Sequence, residues 1–458
     1  MTWTQVLASV LFIGAYVLIA LQVYDKTRIA LAGGALMLLL GLVDQHTAFH
    51  GTEHIHGIDW NTIFLLIGMM IIVGITKHTG VFQWIAIRAA KRVRAHPLGI
   101  MIILSLVTAV ASAFLDNVTT VLLISPVILI LTSQLRTDPV PYLIAIVLAS
   151  NIGGTATLVG DPPNIMIASA AELGFIHFLR YDAPAVVLIL ATFVLMLWLF
   201  LGPRIKVSLR DRARVLRMDE ARAILDPNLL RKCLFVLALV LLGFLVHSYL
   251  GLEPATIALA GAALLLMLLG RKPKLVAADE LMGSQGELHW YHTIEWGTIF
   301  FFIGLFIMVA GLVELGVIAM LGKALLHATG GHVPALTMLI LVFSAAASGV
   351  IDNIPFVATM NALILGLDPN MLTAVPSHVP PTAHHPGVFP LWWALSLGAC
   401  LGGNFTLVGA SANVVVAGIA SRDGYHIDFL RFMKYGVPVT LMSIAISAVY
   451  LWFVFLRP

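Results

Sequence analysis

Long apolar runs recur from one end of this chain to the other. They cover roughly 5–23, 27–45, 61–76, 98–135, 139–172, 181–203, 230–247, 253–270, 294–320, 332–367, 389–420 and 435–456. A hydrocarbon layer about 30 Å thick takes about 20 residues of helix to cross. Only helices and closed barrels satisfy their backbone groups there. Apolar types make up 60% of the 458 residues and charged types 11%, against about 25% charged in soluble domains. A large soluble core and a nucleic-acid-binding surface are both excluded. The fold class expected is an all-α polytopic membrane protein embedded in a lipid bilayer. No Lys or Arg precedes the first run. It therefore lacks the basic start of a signal peptide and reads as a retained span.

Two pairs of runs depart from simple spans. The runs 98–135 and 332–367 are too long, and each holds an acid near its middle, Asp116 and Asp352. The runs 139–172 and 389–420 are interrupted by glycine-rich centres. An internal repeat relates them. Ile58-Asp59-Trp60-Asn61-Thr62-Ile63-Phe64 matches Ile294-Glu295-Trp296-Gly297-Thr298-Ile299-Phe300 at an offset of 236 residues. Gly68 and Gly304, Gly80 and Gly316, and Asp116-Asn117 and Asp352-Asn353 keep that offset. After a thirteen-residue insertion it becomes 249, and Gly153-Gly154-Thr155-Ala156-Thr157-Leu158-Val159-Gly160 matches Gly402-Gly403-Asn404-Phe405-Thr406-Leu407-Val408-Gly409. Shared Leu and Val follow from apolar composition. Shared Trp, Asp-Asn and Gly-Gly in one order do not.

The organisation expected is a first repeat over 1–203, with a hairpin at 98–135 and a broken helix at 139–172. A basic cytoplasmic linker follows over 204–229. A second repeat covers 230–458, with a hairpin at 332–367 and a broken helix at 389–420. Lys26, Arg28, Lys77, Arg88, Lys91, Arg92, Arg94, Arg204, Lys206, Arg210, Arg212, Arg214, Arg271, Lys272, Lys274, Arg422, Arg431 and Lys434 mark one side as cytoplasmic. The loops 45–59 and 368–390 hold no Lys or Arg and are rich in His. They belong outside, with His46, His50, His54, His56, His378, His384 and His385 as surface residues. Asp211 and Gln285 then face the cytoplasm, and both termini lie outside. Each hairpin is re-entrant, from opposite sides, because a turn in lipid would leave its backbone groups unpaired. Two inverted-topology repeats with discontinuous helices form the plan of secondary transporters. The segment 81–94 reads as an interfacial helix or a frayed end of the third span.

Polar residues at membrane depth mark the candidate site. An intramembrane carboxylate is costly and faces protein or water, so Asp116, Asp352 and Asp161 are the candidates for coupling. Capping of the hairpin helices by Asp116 and Asp352, and of a half-helix by Asp161, is the competing role. Asn117, Thr119, Thr120 and Asn353 flank the acids with neutral ligands. At the breaks stand Asn151, Gly153, Gly154, Thr155, Thr157 and Asn164 in the first half. Gly402, Gly403, Asn404, Thr406, Ser411 and Asn413 stand in the second. Glycines there free backbone groups, and a half-helix start attracts oxygen ligands. Three carboxylates in one cavity suit a cation, a neutral solute, or a cargo whose charge is neutralised. Cys233 and Cys400 fit no metal-ligand spacing, and no nucleotide-binding glycine loop occurs. No cofactor and no metal site are expected.

Phe114-Leu115-Asp116-Asn117-Val118-Thr119-Thr120 and the run from Asn151 to Asn164, ending Gly160-Asp161-Pro162-Pro163-Asn164, resemble the arsenite permease and P-protein branch of the ion transporter superfamily. The resemblance covers nearly the whole chain. It implies a scaffold and a transport domain, each built from both repeats, and a homodimer. It also implies that Asn117, Thr120, Asn164, Asn353 and Asn413 line the site. A soluble ATPase subunit is a further partner that the resemblance implies. A bacterial inner-membrane, non-enzymatic carrier is implied, driven by a proton or sodium gradient. The leading expectation is proton-coupled efflux of a small inorganic solute, arsenite or antimonite. Sodium/proton antiport and transport of an inorganic or organic anion are the alternatives.

Overall fold

The computed structural model describes residues 2–21, 24–52, 57–201, 207–269, 290–376 and 385–457. Arg204, Lys206, Arg271, Lys272, Lys274, Gln285, His54, His56, His378 and His384 lie outside the described residues.

The first half runs α1 (Trp3–Ala20), α2 (Lys26–Leu39), α3 (Gln45–His50), α4 (Trp60–Lys77), α5 (Val81–Arg92), α6 (Pro97–Ser112), α7 (Asn117–Leu135), α8 (Val140–Gly154), α9 (Pro162–Ala170), α10 (Phe175–Tyr181) and α11 (Ala183–Leu201). The linker carries α12 (Leu209–Leu216). The second half runs α13 (Pro227–Leu250), α14 (Pro254–Leu269), α15 (Trp296–Glu314), α16 (Val317–Thr329), α17 (Val333–Ser348), α18 (Asn353–Leu365), α19 (Phe389–Gly402), α20 (Ser411–Arg422) and α21 (Phe429–Leu451). Among the described residues, seven helices have the length and apolarity to cross a membrane. The molecule is an all-α polytopic membrane protein, as expected.

Local sequence sets the helix starts. Asp25, Asp59, Asp226 and Asp428 accept hydrogen bonds from the first-turn amides of α2, α4, α13 and α21, satisfying donors that have no intrahelical partner. Pro97 and Pro162 open α6 and α9, where the missing N–H costs nothing.

Helix packing obeys the repeat. α2 lies along α15, and its counterpart α14 lies along α4. α6 packs on α8, and α17 on α19. α9 meets α18, and α20 meets α7. The pairs α4–α15, α8–α19 and α11–α21 meet their own counterparts, as elements about a pseudo-two-fold axis must. Close backbone contacts fix the register. A Cβ on Gly304 would stand 2.4 Å from the Ala30 carbonyl carbon, and one on Gly68 would stand 2.7 Å from that of Ala258. Residues 30 and 258 are therefore equivalent. The hydrogen bonds from Thr27 to the Gly297 carbonyl (2.9 Å) and from the Ala255 amide to Asn61 (3.3 Å) give the same register.

The hairpins are helix–turn–helix units, α6–α7 and α17–α18, turning just before Asp116 and Asp352. They are unequal: α7 has 19 residues and α18 has 13. The broken segments divide into α8 and α9, and into α19 and α20, with the glycine-rich runs between.

Segment 81–94 is a separate helix rather than a frayed end. Gly80 turns the chain at φ 78°, and α5 buries Val81, Phe82 and Ala86. The linker is ordered through much of its length, for a reason outside its apolar content. Arg212 donates to the Arg94 carbonyl at 3.0 Å, Lys91 pairs with Glu220, and the Leu225 amide donates to the Thr79 carbonyl at 3.0 Å.

Candidate functional site

Each hairpin tip is clasped by the break of its own half. The Thr157 hydroxyl donates to the Ala113 carbonyl, and its counterpart Thr406 donates to that of Gly349 at 2.6 Å. Gly153 comes so near the α6 backbone that a Cβ would stand 2.1 Å from the Ala109 carbonyl oxygen. Gly402 does the same against Ala345. The glycines sit where two backbones touch, a use that any side chain would prevent.

Two buried asparagines hold the breaks together. Asn164 donates to the carbonyls of Thr155 (3.1 Å) and Thr157 (3.0 Å). Asn413 donates to those of Gly403 (2.8 Å) and Thr406 (2.9 Å). The side-chain oxygen of each takes a donor from the other half. Ser396 supplies it to Asn164 at 2.7 Å, and Asn151 supplies it to Asn413 at 3.0 Å. Asn151 also donates to Asn404 at 2.8 Å. Carbonyls freed at the two breaks are thus paired inside the protein, as a lipid environment requires.

A cavity of about 490 Å³ reaches this centre. Lys26, Asp116, Asn117, Asp161, Asn353 and Ser411 line it, with Glu295 and Arg422 nearer its edge. Asp116 accepts from the Thr119 amide at 2.9 Å and caps α7; Asp352 accepts from the Ile354 amide at 3.4 Å and caps α18. Asp161 behaves differently. It precedes α9 without a side-chain capping bond and is 2% exposed. Asn353 approaches it at 3.5 Å, and Asn117 and Cys400 flank it. Among the described residues neither Asp116 nor Asp161 has an ion pair, whereas Asp352 pairs with Lys26 at 2.8 Å.

The candidates named from sequence therefore separate. Asp116, Asn117, Asp161, Asn353 and Ser411 converge on the cavity, and Asp352 adjoins it through Lys26. Asn151, Thr155, Asn164, Asn404, Thr406 and Asn413 are buried behind it in the bonds that shape the breaks. Gly153, Gly154 and Gly402 face the hairpins, at Ala109, Asn117 and Ala345, whereas Gly403 packs within its own break against Gly409 and Ala410. Thr119 and Thr120 stand on the first turn of α7, outside the lining. Sequence reasoning missed Lys26, treated only as a topology marker. It also missed Asp182, which opens an apolar run and is 0% exposed. The Asp182 carboxyl meets the Ser396 hydroxyl at 2.5 Å, behind Asn164. The acid at the start of that run was the available signal.

A second cavity, of about 630 Å³, is lined by residues that include His50, Asp59, Met166, Phe306, Ala358 and Asn361. It is the repeat-related partner of the first. Asp59, Phe306, Ala358, Met166, Ser169 and Ala170 line one cavity, where Glu295, Met70, Leu122, Val415, Gly418 and Ile419 line the other. The first cavity reaches the acids at its floor. Among the described residues lining the second, none belongs to a hairpin tip or a break.

Inverted packing around a polar centre, with two related cavities of unequal depth, defines a secondary active membrane transporter driven by an ion gradient. The chain belongs to the citrate transporter family CitMHS, which matches residues 16–398. It is 46% identical over 448 residues to the transporter Rv2684 of Mycobacterium tuberculosis, covering 98% of each chain. It is 42% identical over 448 residues to the 46 kDa membrane protein of Mycobacterium leprae, again covering 98% of each. The human P protein is 33% identical over 531 aligned residues, which cover 98% of this chain and 60% of that one. In fold, the chain is similar to the crystal structure of the YdaH transporter of Alcanivorax borkumensis. The TM-score is 0.55 at 15% identity, over 97% of this chain and 98% of that one. The family makes the protein a transporter and not an enzyme. Its bacterial relatives accord with a multi-pass protein of a bacterial membrane.

Proposed function

We propose that the protein carries a small organic anion of the citrate class together with protons or metal cations that neutralise it. The observation that carries this reading is the carboxylate of Asp161, buried beside the cavity floor with no ion pair among the described residues. A polycarboxylate meets repulsion from Asp116 and Asp161 unless a cation or proton intervenes. Lys26 and Arg422 supply the positive charge among the lining residues. The citrate family match supports the same cargo class. In this reading the hairpins enter from opposite faces, the Lys26 cavity opens to the cytoplasm, and Asp116 and Asp161 hold the coupling ion.

Arsenite is the second reading. As the uncharged trihydroxide it suits the amides of Asn117 and Asn353 and the hydroxyl of Ser411, which share the cavity. Sodium/proton antiport uses the same carboxylates with no further cargo.

One experiment separates the three. The purified protein is placed in vesicles, and fluxes of citrate, arsenite and sodium are compared under an imposed pH gradient, with and without divalent cations. The expected result is gradient-dependent citrate flux that falls about tenfold or more in Asp161→Asn, as for an intramembrane acid that binds the coupling ion. Gradient-driven arsenite flux without citrate flux overturns the proposal in favour of arsenite. Sodium-driven proton movement alone favours antiport.

A further inference from the structure

The two halves differ at one contact that crosses between them. Lys26, the first residue of α2, extends its ammonium to Asp352 Oδ2 at 2.8 Å and to Ser411 Oγ at 2.8 Å. Ser411 Oγ lies 2.9 Å from the same carboxylate oxygen. The ammonium also stands 5.0 Å from the Phe301 ring centroid. The register that equates Ala30 with Ala258 equates Lys26 with Pro254. In the other half the equivalents of Asp352 and Ser411 are Asp116 and Pro162. Neither proline has a hydrogen-bond donor, so nothing at those positions can repeat the contact.

The partners of this contact come from different halves of the chain. Lys26 is fixed to the α2–α15 seam, where Gly304 and Ala30 touch backbone to backbone. Asp352 and Ser411 belong to the hairpin and break of the second half. Those two are held to each other by the bonds from Thr406 to Gly349 and from Ser348 to Ala399, both 2.6 Å. Tyr16 of α1 adds a second tie, from its hydroxyl to the Pro355 carbonyl.

We infer that Lys26 is a positioning residue for alternation between the two cavities. Its ammonium ties the second hairpin to α2 in the state whose cavity reaches the centre from the Lys26 side. The tie breaks when the repeat-related cavity opens instead. In that second state Asp116 takes the place of Asp352 and meets Pro254, so the ion pair has no replacement. The empty protein is therefore biased toward the state with the Lys26-side cavity open. This inference rests on the transporter class and not on the cargo. It stands or falls independently of citrate.

The test reads the state directly. Cys233 and Cys400 are buried, so Ala410→Cys, beside the cavity floor, serves as the reporter. An impermeant maleimide is applied to right-side-out and to inside-out vesicles, and the ratio of the two labelling rates is recorded. Lys26→Gln and Asp352→Asn should each shift the ratio toward the His50 face by roughly three- to tenfold, as for a partly buried charge-assisted bond. Lys26→Arg should retain most of the bias. The double variant should shift no further than either single one, because both remove one interaction. An unchanged ratio in either folded single variant overturns the inference, as do shifts that sum in the double variant. If one single variant fails to fold, the other carries the same prediction.

Discussion

Gly304 of α15 touches Ala30 of α2 so closely that a Cβ on the glycine would stand 2.4 Å from the alanine carbonyl carbon and oxygen alike. The neighbouring atoms are backbone and cannot turn aside. Gly304→Val is therefore expected to lower stability by about 1–3 kcal/mol, the usual cost of overpacking. Thermal unfolding in detergent checks this, with Gly14→Ala as control, since a Cβ there meets nothing within 4 Å. Equal melting temperatures for the two variants would show that the seam can open.

Asn413 and Asn164 are expected to act on the shape of the site and not on its affinity. Asn413→Ala removes the donors to the Gly403 and Thr406 carbonyls, at about 1–3 kcal/mol for buried groups left unpaired. Asn164→Ala should cost about the same, because it removes the donors to the Thr155 and Thr157 carbonyls while the Ser396 hydroxyl keeps Asp182 as its acceptor. Thermal shift and flux together decide. Lower stability and slower turnover at unchanged half-saturation are expected. Normal stability with weakened cargo binding would make these residues direct ligands.

Orientation is open to labelling. A cysteine at Asp211, in the linker helix α12, should react with an impermeant reagent only from the cytoplasmic face. A cysteine at His50, beside the second cavity, should react only from outside. The basis is the Lys and Arg distribution. Reaction at position 211 in intact cells would invert the topology.

The linker contact should respond to acid. Lys91 donates to Glu220 and holds that carboxyl below the ordinary glutamate range, which lies at about 4.3. A carboxylate depressed in the folded state stabilises the fold above its unfolded value. That contribution is lost as pH falls through the depressed value. The linker should therefore stay docked on α5 through pH of about 4.3 and loosen below it. Spin-label distances between α5 and the 220–223 turn measure this. Lys91→Met should lengthen them at neutral pH, and an unchanged distance in that variant would show that the Arg212 and Leu225 contacts hold the linker without the ion pair.

The apolar runs, the two hairpins, the two breaks and the offsets of 236 and 249 could all be read along the chain. Each follows from local properties. Spanning length comes from apolar composition, helix starts from Asp and Pro, and broken segments from paired glycines. The inverted packing of α2 on α15 and α14 on α4 then follows from a repeat already visible in residues 58–64 and 294–300. Short α10 and the docked linker were not visible, because contacts from distant segments stabilise them.

What the sequence determined by itself was therefore the long apolar elements, the repeat that relates them and the polar segments, around Asp116, Asp161 and Asp352, that interrupt them. Which way each polar residue faces was decided only by tertiary structure. Asn353 and Asn413 looked alike in the chain, yet one lines the cavity and the other secures a break. Asp116 and Asp352 sit in matching motifs, but only Asp352 has an ammonium beside it, from a residue 326 positions away. Ser396 joins Asn164 and Asp182 across 232 and 214 positions. The physical reason is that a helix buried on most sides has no solvent face to betray its orientation. Its rotation is set by the partner helix, and here many of those partners come from the opposite repeat.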